Sequence, residues 1–119
     1  MFPFEKSRNF MEQIMTQPCL ELVVFKVKDK EKARLARRAA QDIARHFEGF
    51  VAWTAYQAIE DETMFADVVF WKDLDCAKAA SEKIMSDQTF AALLAEIDGI
   101  VTMSHYAPDR AVEAPAVAA

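Results

Sequence analysis

The stretch Met64–Trp71 carries apolar side chains on both of its alternating faces. Whichever face of a strand Val68 and Phe70 occupy, Val69 and Trp71 occupy the other. A strand of that kind belongs in a sheet covered on both sides. Phe50 to Ile59 precedes it across the polar turn Glu60-Asp61-Glu62-Thr63, whose length predicts an antiparallel hairpin. Cys19 to Lys28 is a third two-faced strand, with Leu20, Leu22, Val23, Val24, Phe25 and Val27.

Helical patterns fill the gaps. Asp29 caps a helix with Ala33, Ala36, Ala40, Ile43 and Phe47 near one face, stopped by Gly49. Asp73 or Asp75 starts a second helix with Leu74, Ala77, Ala80, Ile84 and Met85. Ser86-Asp87 is a further start signal before Phe90, Leu93, Leu94 and Ile97, and Gly99 closes that segment. Ile100 to Tyr106 is the last strand. The order β-α-β-β-α-β predicts an α+β, ferredoxin-like fold: an antiparallel four-stranded sheet with both helices on one face. One helical layer covers one face only, and the strands are apolar on two. The uncovered face exceeds the apolar patch a monomer tolerates, so a homodimer packed sheet against sheet is expected.

The 119 residues suit one domain, expected over 19–107. Before it, residues 1–18 hold Phe10, Met11, Ile14 and Met15 on one helical edge and are read as a docking arm ended by Pro18. Charged residues interrupt every apolar run there, which excludes a signal peptide or membrane span. Residues 108–119 form an Ala/Pro tail with too little to bury, expected to be disordered.

The net charge of −5 disfavours nucleic acid and anionic lipid as partners. The basic stretch from Lys26 to Arg45, which includes Arg34, Arg37 and Arg38, reads as a solvated helix face. Cys19 and Cys76 match neither a secreted disulfide framework nor a metal site, so reduced thiols in a cytoplasmic protein are expected. No Ser-His-Asp order, Gly-rich phosphate loop or Cys/His cluster occurs, and no metal or other cofactor is expected.

Glu48-Gly49-Phe50 leading into a strand, the hairpin ending in Phe70-Trp71, the segment Asp73 to Met85 and the step Ser86-Asp87-Gln88-Thr89-Phe90 together resemble the antibiotic-biosynthesis monooxygenase-like group of dimeric α/β-barrel proteins. The resemblance covers roughly residues 19 to 107. It implies a dimeric α/β barrel and leaves the chemistry open, since the group spans cofactor-free oxygenases, haem-degrading enzymes, isomerases and stress-responsive proteins. Haem-degrading members share Trp71 but place an axial His where this chain has Ala80 and Ser81, which argues against haem. Some cofactor-free oxygenases carry an amide four residues before the Trp, where this chain has Asp67.

Asp67, among apolar neighbours, is the first candidate for a catalytic base acting on a phenolic or acidic C–H substrate. Its alternative is a carboxylate that faces a strand edge, water, or a Lys or Arg partner across the dimer. His105, on the last strand beside Tyr106, is the second catalytic candidate, since an imidazole with a reference pKa of about 6.5 suits acid–base work. Trp71 is an apolar wall in any account, and Trp53 and Tyr56 join it as ligand-pocket candidates, their faces depending on hairpin register. His46 is explained by the end of the first helix. The chain thus reads as a cofactor-independent monooxygenase-type enzyme for a small aromatic or acidic C–H compound, or as a non-catalytic ligand-binding or stress-responsive dimer. A third reading, RNA binding, starts from Phe65-Ala66-Asp67-Val68-Val69-Phe70, but Asp67 stands where a stacking aromatic belongs.

Overall fold

A computed structural model describes residues 18–116. The arm expected over residues 1–18 lies, but for Pro18, outside them, as do the last three residues of the tail. Chain order is β1 (Cys19–Val27), α1 (Lys30–Ala44), β2 (Phe50–Gln57), β3 (Met64–Trp71), α2 (Leu74–Ser86), a 3-10 turn (Gln88–Phe90), α3 (Ala91–Glu96) and β4 (Ile97–Tyr106). The strands form one antiparallel sheet in the order β2-β3-β1-β4. This is the βαββαβ, ferredoxin-like arrangement. No helix among the described residues is long and apolar enough to cross a membrane.

Local chemistry sets the helix starts. Asp29 accepts the backbone N–H groups of Glu31 and Lys32 at 3.0 and 3.1 Å, and Asp73 accepts that of Cys76 at 2.9 Å. Residue 87 repeats the device, with the Asp87 carboxylate accepting the Thr89 N–H before the 3-10 turn. Two ends differ from expectation. Helix α1 stops at Ala44 rather than running to Phe47, and residues up to Gly49 form turns that seat Phe47 against Phe90. Gly99 does not close a helix but sits inside β4, at φ +105° within a shift of register against β1 between Ile100 and Ile97, because pairing with Val27 draws Ile97 into the sheet.

Only one sheet face lies under the helices. It presents Cys19, Glu21, Phe25 and Val27 from β1 and Phe65, Asp67, Val69 and Trp71 from β3, all buried. Phe25 and Phe65 meet edge to face at 5.9 Å, and Phe50 meets Trp71 likewise at 5.6 Å. Each fully buried large side chain contributes roughly 1.5–3 kcal/mol of burial, which makes these rings the main anchors of the sheet to its helices. With Phe65 and Asp67 beneath the helices, the RNA-like stretch leaves Phe70 as its aromatic ring on the open face. The opposite face holds Leu20, Leu22, Val24, Val68 and Phe70, half-buried or exposed. Beyond β4, residues 107–116 are exposed and have no regular secondary structure.

Candidate active site

Strand register lines up the site in rows across the inner face. One row runs Trp53, Val69, Glu21, His105; the next runs Ala55, Asp67, Val23, Met103. Trp71 and Cys19 begin a third. Above these rows, between sheet and helices, lies a cavity of about 130 Å³ whose wall includes Glu21, Trp53, Asp67 and Trp71. Helices supply Ile84 and Leu93 to its roof, and exposed Met85, Ile100 and Met103 mark an open rim. The volume is comparable to the roughly 150 Å³ apolar cavity known to house one benzene ring.

Asp67 is 6% exposed and does not stand alone. Arg37 of α1 donates Nε–H to its Oδ1 at 2.8 Å, and Arg37 Nη2 donates to the carbonyl oxygens of Tyr56 and Ala66 at 2.8 and 3.1 Å. The guanidinium also lies 4.2 Å from the Phe65 ring centre. Burial pushes the Asp67 carboxyl above its ordinary range, with Arg37 opposing, and burial likewise pulls the Arg37 value down. A guanidinium remains charged in proteins, so Asp67 faces a fixed cation. Arg37 was expected on a solvated face; it is 5% exposed. Its signal was present in the helical period, because Arg37 follows Ala33 by four residues and precedes Ala40 by three, and the flanking alanines leave room for a long side chain.

Glu21 is the site residue that sequence reasoning missed. It is 8% exposed, accepts the Trp71 indole N–H at 3.0 Å, and has His105 Nε2 at 3.7 Å from the same oxygen. That separation suits a charge pair and exceeds a hydrogen bond. Burial raises the Glu21 carboxyl above its ordinary range; His105 and the Trp71 hydrogen bond oppose the shift, while Asp67 adds to it. Alternation along β1 put Glu21 on the face of Cys19 and Phe25, but only the pairing of β1 with β3 and β4 brings it to Trp71 and His105.

Two buried nitrogens lack a hydrogen-bond partner among the described residues, Trp53 Nε1 and His105 Nε2. The Trp53 indole is close enough to Asp67 to favour its carboxylate, yet outside hydrogen-bond geometry. Of the pocket candidates, Trp71 and Trp53 reach the cavity together with Asp67. Tyr56 does not: it pairs with Ala66, and its side chain takes the outer face, 52% exposed, because Trp53 and Tyr56 are an odd number of residues apart. His105 is on the inner face beside Glu21. No three His, Cys, Asp or Glu side chains gather as a metal site among the described residues.

A ferredoxin-like α+β domain with a cavity between its sheet and helices is thus the class that fold and site define. No protein-family model and no curated protein matches the sequence. Solved structures do match. A provisionally assigned antibiotic biosynthesis monooxygenase from Bordetella bronchiseptica superposes with a TM-score of 0.70 at 11% identity, over 79% of this chain and 99% of that one. Another from Nitrosomonas europaea gives 0.68 at 17%, over 78% and 91%. SnoaB, a cofactor-independent oxygenase from Streptomyces nogalater, gives 0.65 at 16%, over 83% and 98%. The chain therefore has the fold of the antibiotic biosynthesis monooxygenase group, and identities this low carry the fold alone.

Proposed function

We propose that the chain is a cofactor-independent oxygenase that removes a proton from a small aromatic or otherwise acidic C–H compound and passes the resulting electron pair to O₂. The observation that carries this reading is a mostly apolar cavity of ring-sized volume with two buried carboxylates, Glu21 and Asp67, in its wall. Asp67 is held by Arg37, so Glu21 is the better placed base and Asp67 the fixed anion beside it. A carboxylate takes a proton from a CH₂ group, giving a carbanion. The carbanion reduces O₂ and combines with it, forming a C–O bond and a peroxide. Loss of the second C–H proton as the O–O bond breaks leaves a carbonyl and one water, so that one CH₂ and one O₂ become one C=O and one H₂O. The apolar wall limits water near the carbanion.

The unpartnered apolar outer face supports a homodimer packed through it, and two free thiols suit a cytoplasmic setting. One observation favours a second reading, a ligand-binding module without turnover: the ion pair occupies the acid in the middle of the wall. An oxygen electrode separates the two. With a panel of mono- and bicyclic phenols and 1,3-diketones, the oxygenase reading expects one O₂ consumed per product carbonyl, without added metal or flavin, and at least a hundredfold loss in E21Q. Thermal stabilisation by the same compounds with no O₂ uptake would establish the binding module instead.

A further inference from the structure

We propose that Glu21 and His105 act as one proton-holding pair, in which His105 is the solvent-side member that keeps Glu21 ionised until substrate enters. The inference rests on the oxygenase reading and makes His105 a positioning residue acting through Glu21. Geometry carries it. The two are direct partners across β1 and β4, both point to the inner face, and His105 Nε2 faces Glu21 at 3.7 Å with no other partner among the described residues. The His105 side chain is 27% exposed and that of Glu21 is 11% exposed, so the imidazole spans from carboxylate to solvent.

A cavity base must be ionised when its substrate arrives, and burial works against that here. The other titratable groups bearing on Glu21 do not help. Asp67 from β3 adds negative charge, and Cys19, two residues back on β1, is a thiol held protonated by its own burial. Trp71 donates one neutral hydrogen bond. The helices put Ala44, Ser81, Ile84, Leu93 and other uncharged side chains against the cavity. His105 is thus the one cation source facing Glu21 among the described residues. In the transfer, neutral His105 takes the proton from Glu21 and holds it, leaving a carboxylate beside an imidazolium. When Glu21 later takes the substrate proton, the imidazolium gives its own to solvent. No oxidant beyond O₂ is required.

The full chain, labelled with ¹³C at glutamate carboxyls and ¹⁵N in histidine, is titrated by NMR, with E21Q identifying the Glu21 signal. The Glu21 midpoint is expected above the ordinary glutamate range, with a second inflection that follows the His105 ring-nitrogen signals. H105Q removes that inflection and raises the Glu21 midpoint by about 1 pH unit, since an opposite charge at this range lowers a carboxyl by about that much or more. H105K, which restores a cation, brings the midpoint back down. Independent titration of the two groups in the unaltered chain, or an unmoved midpoint in H105Q, overturns the pair; should H105Q fail to fold, the second inflection alone decides. These measurements need no substrate, so absent O₂ uptake would end the oxygenase reading without touching them. Where uptake is found, the acid limb of kcat/KM must rise in H105Q by the same interval, and an unmoved limb overturns the role given to His105.

Discussion

Arg37 fixes the position of Asp67 by reaching from α1 under the edge of the sheet, where it satisfies a carboxylate and two strand carbonyls at once. Removing one member of a buried ion pair leaves the other uncompensated, so R37A should cost about 3–5 kcal/mol of unfolding free energy in urea. The double variant R37M/D67L should cost less than R37A alone, because no charge is left stranded. Glu21 sets a pH dependence of the opposite kind to an exposed salt bridge. Its folded pKa lies above the unfolded one, so the folded chain binds the proton more tightly. Stability is therefore highest below the unfolded value and falls as pH rises through the folded one. E21Q, which keeps an acceptor for the Trp71 N–H, should melt roughly 4 °C or more above the unaltered chain at pH 8 and show no such gain at pH 4. Neither residue's partner was visible in sequence: Asp67 was marked as costly if buried unpaired, but the distance of thirty positions to Arg37 is bridged only by the crossover of α1.

At the scale of elements, the two glycines differ in what surrounds them. Gly49 has φ +78°, and a Cβ there would lie 2.6 Å from Cys76 Cβ and closer still to its sulfur; Gly99 has φ +105° with open space beside it. G99A should cost about 1–2 kcal/mol of backbone strain, and G49A clearly more, because the α2 start must also move; chemical denaturation of both variants checks the order. Six elements were legible from periodicity and caps, since Asp29 and Asp73 announce helix starts within a few bonds of themselves. Boundaries near Phe47 and Ile97 were not. There the same apolar residues satisfy helix or strand patterns, and contact with Phe90 or with β1 makes the choice.

For the whole molecule, the proposed homodimer rests on the outer face. Leu20, Leu22, Val24, Val68 and Phe70 form an apolar surface that the helices leave uncovered. V68D, on the central strand pair, should convert a dimer to monomer or leave the chain unfolded, as read by light scattering on a sizing column. A folded monomer of the unaltered chain at micromolar concentration would count against the dimer.

The sequence by itself determined the order of elements and the two-faced strands, because alternation, caps and turn chemistry act over a few residues. It also marked Asp67 as a carboxylate that is costly if buried unpaired. Tertiary structure alone decided which partner Asp67 has, which of Trp53 and Tyr56 faces the cavity, and that Glu21 meets Trp71 and His105. Those are matters of strand register and helix crossing, where one residue of slip would turn every side chain to the other face.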